Sequence, residues 1–120
     1  MKPDVGHLYA VLHQWVAAGN AKPQTYAKLS HDYHGLTGEW FEPHGSWDAP
    51  LGELNNILAA AGAPALSALV ILNETKEPGD RFWGCAPNVP PRPKKEIDRL
   101  TEWSRIVADI GKFNWPASLP

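Results

Sequence analysis

Five histidines and a single cysteine give this chain most of its chemical range. His31, Asp32 and His34 stand close together, and His44 follows ten positions on, a set of types that can ligate a metal. Zinc pairs on a helix favour a four-residue spacing, whereas His31 and His34 are three apart, so surface or capping roles are expected and no metal or other cofactor. Cys85 lies in Trp83-Gly84-Cys85-Ala86-Pro87 with no histidine or aspartate beside it. A nucleophilic thiol needs a nearby base and a lowered pKa, so a packed structural thiol is the expectation here, as is a packed hydroxyl for Ser67. His44 with Glu39, Glu42 or Asp48 offers paired titratable groups of the kind a small ribonuclease-type toxin or other hydrolase uses. That segment has no cation to stabilise a phosphoryl transition state, which leaves Arg81 as the one the fold could bring to it.

The segment from Glu39 to Asp48, EWFEPHGSWD, carries a second kind of chemistry. Trp40, Phe41 and Trp47 alternate with Glu39, Glu42 and Asp48, a composition suited to gripping a protein whose rim is basic. The plainer reading is that Trp40 and Trp47 plug the core, and both hold if one ring turns in and the other out. The expected partner-binding residues are Glu39, Trp40, Phe41, Glu42, His44, Trp47 and Asp48, with Arg81 alongside.

Charge narrows the partner. Between Lys28 and Lys76 there is no lysine or arginine, while six acids fall there: Asp32, Glu39, Glu42, Asp48, Glu53 and Glu74. The net charge of −2 predicts no general affinity for nucleic acid or anionic membrane. Positive charge collects from Arg92 to Lys112, with six basic against four acidic residues. Arg92, Lys94 and Lys95 could touch a phosphate backbone, but beside Glu96 and Asp98 they read as an ordinary solvated helix start. The lone cysteine excludes an internal disulfide, and the apolar run Ala65 to Leu72 is far too short to span a bilayer. The opening MKPDVGHLYAVL lacks signal-peptide character, so a cytoplasmic setting is expected.

The elements that must position these residues are legible in the spacing. At 120 residues the chain is expected to be one domain, and its 43% apolar and 20% charged content is globular. Asp4 can cap a helix with Val5, Leu8, Leu12, Trp15 and Val16 on one face and Gly19-Asn20 as its stop. Thr25 can cap a shorter helix with Tyr26, Leu29 and Tyr33 inward, ending at Gly35. Leu36 to Pro50 reads as an ordered loop. Asp48 then caps a third helix with Pro50 in its first turn and Leu51, Leu54, Leu58 and Ala61 inward. Leu66 to Asn73 reads as a buried strand that turns at Glu77 to Asp80 and returns through Arg81 to Gly84 as a β-hairpin. Ala86 to Pro93 is a proline-rich connector anchored by Trp83 and Val89. A final helix begins near Pro93 or Lys94 and aligns Ile97, Leu100, Trp103, Val107 and Ile110, and Trp115 folds back onto the domain.

From Thr25 to Asn73 the chain resembles the DNA-binding half of the alkylguanine-DNA alkyltransferase family and its inert relatives. The resemblance rests on Thr25-Tyr26 with Leu29, on Leu51-Gly52-Glu53 where the family has a Val-Gly-Gly-like helix start, and on Pro64-Ala65-Leu66-Ser67 with Leu69-Val70-Ile71 where it has Pro-Cys-His-Arg and Val-Val. It implies a winged helix-turn-helix. The alkyl-accepting cysteine falls at Ala65, its partner histidine at Leu66 and the duplex-opening arginine at Pro50, so alkyl transfer is excluded at this site. A DNA-binding third helix would also need cations. This one offers Asn55 and Asn56, which can read adenine edges, beside Glu53. Without a basic surround, both asparagines are expected to be ordinary solvated residues.

The expected fold is α+β, a small winged-helix-like domain with a β-hairpin and an added C-terminal helix. The expected function is a non-enzymatic adaptor or inhibitor binding another protein through the aromatic-acidic loop. By the resemblance, its setting is DNA metabolism or defence. The alternatives are a DNA-binding winged-helix module and a hydrolase centred on His44.

Overall fold

The computed structural model describes residues 2–120. Its elements run α1 (Val5–Gly19), β1 (Gln24–Thr25), α2 (Tyr26–Thr37), α3 (Asp48–Ala60), β2 (Val70–Ile71) and α4 (Glu96–Lys112), with 3-10 turns at Leu66–Leu69 and Asp80–Phe82. Among the described residues this is a mixed α+β arrangement of four helices and a two-strand parallel sheet, with α2 packed against the strands.

The first two helices start where side-chain oxygens can satisfy their free N–H groups. Asp4 Oδ1 accepts from the His7 amide at 3.0 Å, and Thr25 Oγ1 accepts from the Lys28 amide at 3.2 Å. Helix α1 buries Leu8, Tyr9, Val11, Leu12 and Trp15 and stops at Asn20, whose left-handed backbone (φ 54°) returns its amide to the Val16 carbonyl. Helix α2 runs one turn fraction past Gly35, to Thr37, and closes on Gly38 at φ 79°. A side chain at Gly38 would be strained, so the exit into the following loop is fixed there.

Helix α3 begins one residue differently from expectation. Trp47 holds the cap position without a side-chain cap bond, and Asp48 is the first helical residue, where its charge faces the positive end of the helix dipole. Pro50, Leu51, Leu54, Asn55 and Leu58 are buried on this helix, whereas Ala61 is exposed.

The expected hairpin does not form. The stretch Leu66–Leu69 coils as a 3-10 turn, and only Val70–Ile71 is extended, pairing in parallel with Gln24–Thr25. Gln24 lies opposite Val70 and Thr25 opposite Ile71. The backbone groups a return strand would need have other partners: Ala68 N–H donates to Ala65 O at 3.1 Å, and the Trp103 indole donates to Ala68 O at 2.8 Å. Asp80–Phe82 likewise turns locally, with Phe82 N–H bonded to Gly79 O at 3.0 Å. Residues Ala65 to Ile71 are buried without alternation, and a run buried on every side carries no period from which strand and helix can be told apart.

The connector is ordered as expected. Gly84 N–H reaches Pro90 O at 2.9 Å, Asn88 Nδ2 donates to Ala63 O at 3.1 Å, and Ala86 and Val89 are buried. Helix α4 carries Glu96 and Asp98 in its first turn and Lys112 in its last, the arrangement its dipole favours. Only Ile106 and Ile110 of α4 are fully buried, and Ile97 is 68% exposed. Trp115 folds back as expected, donating to Ile110 O at 2.9 Å. No helix among the described residues is long and apolar enough to cross a membrane.

Candidate functional site

The loop between α2 and α3 is rooted by aromatic packing. Trp47 is fully buried, its indole donates to Ser30 Oγ at 2.9 Å, and its ring meets Tyr33 edge-on at 5.2 Å and Phe41 at 5.9 Å. Phe41 in turn meets Tyr33 at 5.6 Å. Edge-to-face contacts of this kind add to burial, because the positive ring edge meets the negative ring face. The buried Tyr33 phenol also accepts from the Asp4 amide at 2.8 Å, tying the loop's foundation to the start of α1. Burial raises the Tyr33 pKa, so the phenol stays neutral.

Trp47 was an expected partner contact, and its burial corrects that expectation. An indole whose N–H is bonded inside the core has no surface to offer. Trp40 takes the opposite orientation: it is 45% exposed, and its indole donates to Glu42 at 3.2 Å. Its ring rests edge-on against His31 at 5.2 Å and His34 at 6.3 Å. Those two histidines therefore support an exposed tryptophan. Among the described residues no group of three or more His, Cys, Asp or Glu converges as a metal centre requires. Glu39 enters the loop with its amide on Thr37 Oγ1 at 3.0 Å, and Glu42 is exposed.

At its far end the loop borders a cleft of about 380 Å³ where β1, the start of α2, the start of α3 and the turn after β2 meet. The structure brings His44, Asp48 and Arg81 together there, residues spread over 38 positions of sequence. Arg81 approaches Asp48 at 3.6 Å with its side chain 83% exposed. Glu39, Trp40, Phe41 and Glu42 do not line this cleft. The expected set is thus two neighbouring surfaces: an outward Trp40 with its acids, and the cleft.

Tyr26, which helical spacing puts on the core face of α2, also lines the cleft. Burial, and then the Asp48 carboxylate, push its pKa up to about 12, partly opposed by the Gly79 amide facing the phenol oxygen. The phenol is therefore a permanent neutral hydrogen-bonding group in the cleft wall. The sequence signal was its position directly after the capping Thr25, where the chain leaves the sheet.

Behind this wall lies a polar cluster that also departs from expectation. Asn55 is fully buried, donating to Ser67 Oγ at 2.5 Å and to Cys85 Sγ at 3.3 Å, with its Oδ1 facing the Ser67 amide at 3.4 Å. It is no solvated helix residue and cannot read a base. Asn56 is exposed, with its amide on Gly52 O at 3.0 Å. Cys85 is a half-buried free thiol and Ser67 a buried hydroxyl, both serving Asn55.

Compared with protein-family models, with curated proteins and with solved structures, the chain matches none.

Proposed function

We propose that this chain is a non-enzymatic module that binds another protein through the outer side of the Glu39 to Asp48 loop, with Trp40 as the anchor, Glu39 and Glu42 beside it and His44 on the adjoining cleft. One observation carries the reading: neighbouring Phe41 and Trp47 pack inward on Tyr33, while Trp40 stays 45% exposed on the same rooted loop. A tryptophan held outward on a fixed base presents large contact area at little ordering cost, the profile of an interface hot spot. The surrounding acids favour a partner with a basic rim.

A setting in DNA metabolism or defence belongs to the same proposal, on the resemblance of Thr25 to Asn73 alone, and that resemblance lacks, among the described residues, the hairpin that would be its wing. Duplex DNA is the poorer partner. Asn55 is turned into the core, Arg105 faces Glu102 at 3.0 Å and Asp109 at 3.2 Å, and Arg92 faces Asp80 at 3.6 Å. Phosphoryl chemistry at His44 gains Arg81 in the cleft, but Asp48, Glu74 and Asp80 line it too and would repel a phosphodiester.

The test is affinity capture from native lysate with the wild type and Trp40→Ala. Trp40, not the buried Trp47, is the informative position, because removing Trp47 damages the fold. The expected outcome is a defined partner lost with Trp40→Ala. Identical recovery by both proteins would remove the loop as the interface.

A further inference from the structure

The cleft beside the loop has its own recognition chemistry. Tyr26, Pro43 and Leu72 give it apolar wall, and Asp48, Glu74 and Asp80 line it beside Arg81, with Arg92 approaching Asp80 at 3.6 Å. Its volume, about 380 Å³, falls in the range of small-ligand sites rather than of packing defects. Carboxylates alone would not define a site. Here, however, the protein itself shows what the floor accepts, because the guanidinium of Arg81 leans onto Asp48.

That contact is loose. At 3.6 Å it is longer than a charge-assisted hydrogen bond, roughly 2.7–2.9 Å, and the arginine is almost fully in solvent while Asp48 is largely screened by its neighbours. An exposed pair of this kind is weak, so a competing guanidinium displaces it at little cost. Asp48 also sits in the first turn of α3, held in place by helix geometry rather than by Arg81. An anionic guest meets three carboxylates, and a neutral guest leaves Asp48 no better satisfied than Arg81 already does.

Resting on the protein-binding reading above, we infer that this cleft receives an arginine side chain of the partner, which replaces Arg81 on Asp48 while Trp40 anchors the neighbouring surface. The loop and the cleft then form one bipartite interface, aromatic at one end and guanidinium-selective at the other. Arg81 is the resident competitor and lowers the affinity for the incoming side chain.

The experiment is a two-dimensional amide NMR titration of the full chain with acetyl-Gly-Arg-Gly-amide, its citrulline counterpart and agmatine. The arginine peptide is expected to move the amides of Thr25, Tyr26, Glu74 and Arg81, and the uncharged citrulline peptide to bind at least about fivefold more weakly. Asp48→Asn weakens the arginine peptide by a similar factor. Arg81→Ala, a change at an exposed side chain that leaves the fold intact, tightens it. Equal shifts with citrulline, no shifts at all, or no tightening in Arg81→Ala would overturn the inference. Agmatine binding as tightly as the peptide would overturn the protein source and assign the cleft to small cations. If Trp40-dependent capture persists while the peptide fails, the loop reading stands without the cleft. If the peptide binds while capture is indifferent to Trp40, the loop reading fails by itself.

Discussion

The loop between α2 and α3 and the helix α4 carry charge in opposite ways. On α4, Arg105 lies between Glu102 and Asp109, and Arg99 meets Glu77 at 3.7 Å with both side chains mostly covered. Among the described residues, the loop's Glu39 and Glu42 have no lysine or arginine within salt-bridge distance. Both arginines of the helix are thus held by carboxylates, whereas the loop's two acids face no such cation. What a surface can attract follows from which charges lack internal partners, not from how many it has.

That contrast is sharpest in the aromatic residues beneath the loop. Trp47→Ala removes a fully buried ring and the Ser30 bond, and is expected to destabilise the protein by about 4 kcal/mol in urea unfolding. Trp40→Ala, on the exposed side of the same loop, is expected to cost less than about 1 kcal/mol. Equal losses would mean that the loop has no distinct inner and outer side.

The cleft wall gives an intermediate effect with a defined pH window. The Tyr26 phenol titrates near 10.0 in its ordinary state and about 12 in the fold, so the native state holds this proton after the unfolded chain has released it. Its contribution is complete below about pH 10 and is lost as the pH rises toward 12, on the order of 2 kcal/mol. Tyr26→Phe should flatten the fall in stability over that interval without abolishing it, since burial also raises Tyr9 and Tyr33. An unchanged slope would place the phenol in solvent.

The smallest effect belongs to α4. Arg105→Ala breaks two exposed pairs and is expected to shift stability by no more than about 0.5 kcal/mol, and less in high salt. A loss several times larger would show that these pairs hold the helix in place.

Caps and helical spacing made α1, α2, α3 and α4 readable before any coordinates, because Asp4, Thr25 and the leucine rows act through neighbours three or four positions away. The orientation of Trp40 and Trp47 was not readable. Both are tryptophans beside an acid, and what separates them is Ser30, seventeen positions away from Trp47, which accepts its indole. Asn55 was misread for the same reason, since its partners Ser67 and Cys85 are set by the tertiary fold. The expected hairpin failed because Ala68 O is taken by Trp103, thirty-five positions later. The cleft was half legible: His44, Asp48 and Arg81 were expected together, but helical spacing put Tyr26 on the core face, not in their company.

Tyr9 of α1 donates its phenol to Pro116 O at 2.6 Å, a contact between residues 107 positions apart. The two-residue sheet adds a second distant pairing, joining Thr25 to Ile71. The outer edge of α1 is therefore covered only when the segment carrying Pro116 docks on it across those 107 positions. Loop-closure entropy is opposed only at the end, so folding is expected to be slow for so helical a protein. Tyr9 and Trp115, whose rings lie 6.4 Å apart, thus make the C-terminal tail a latch on the first helix rather than a loose end.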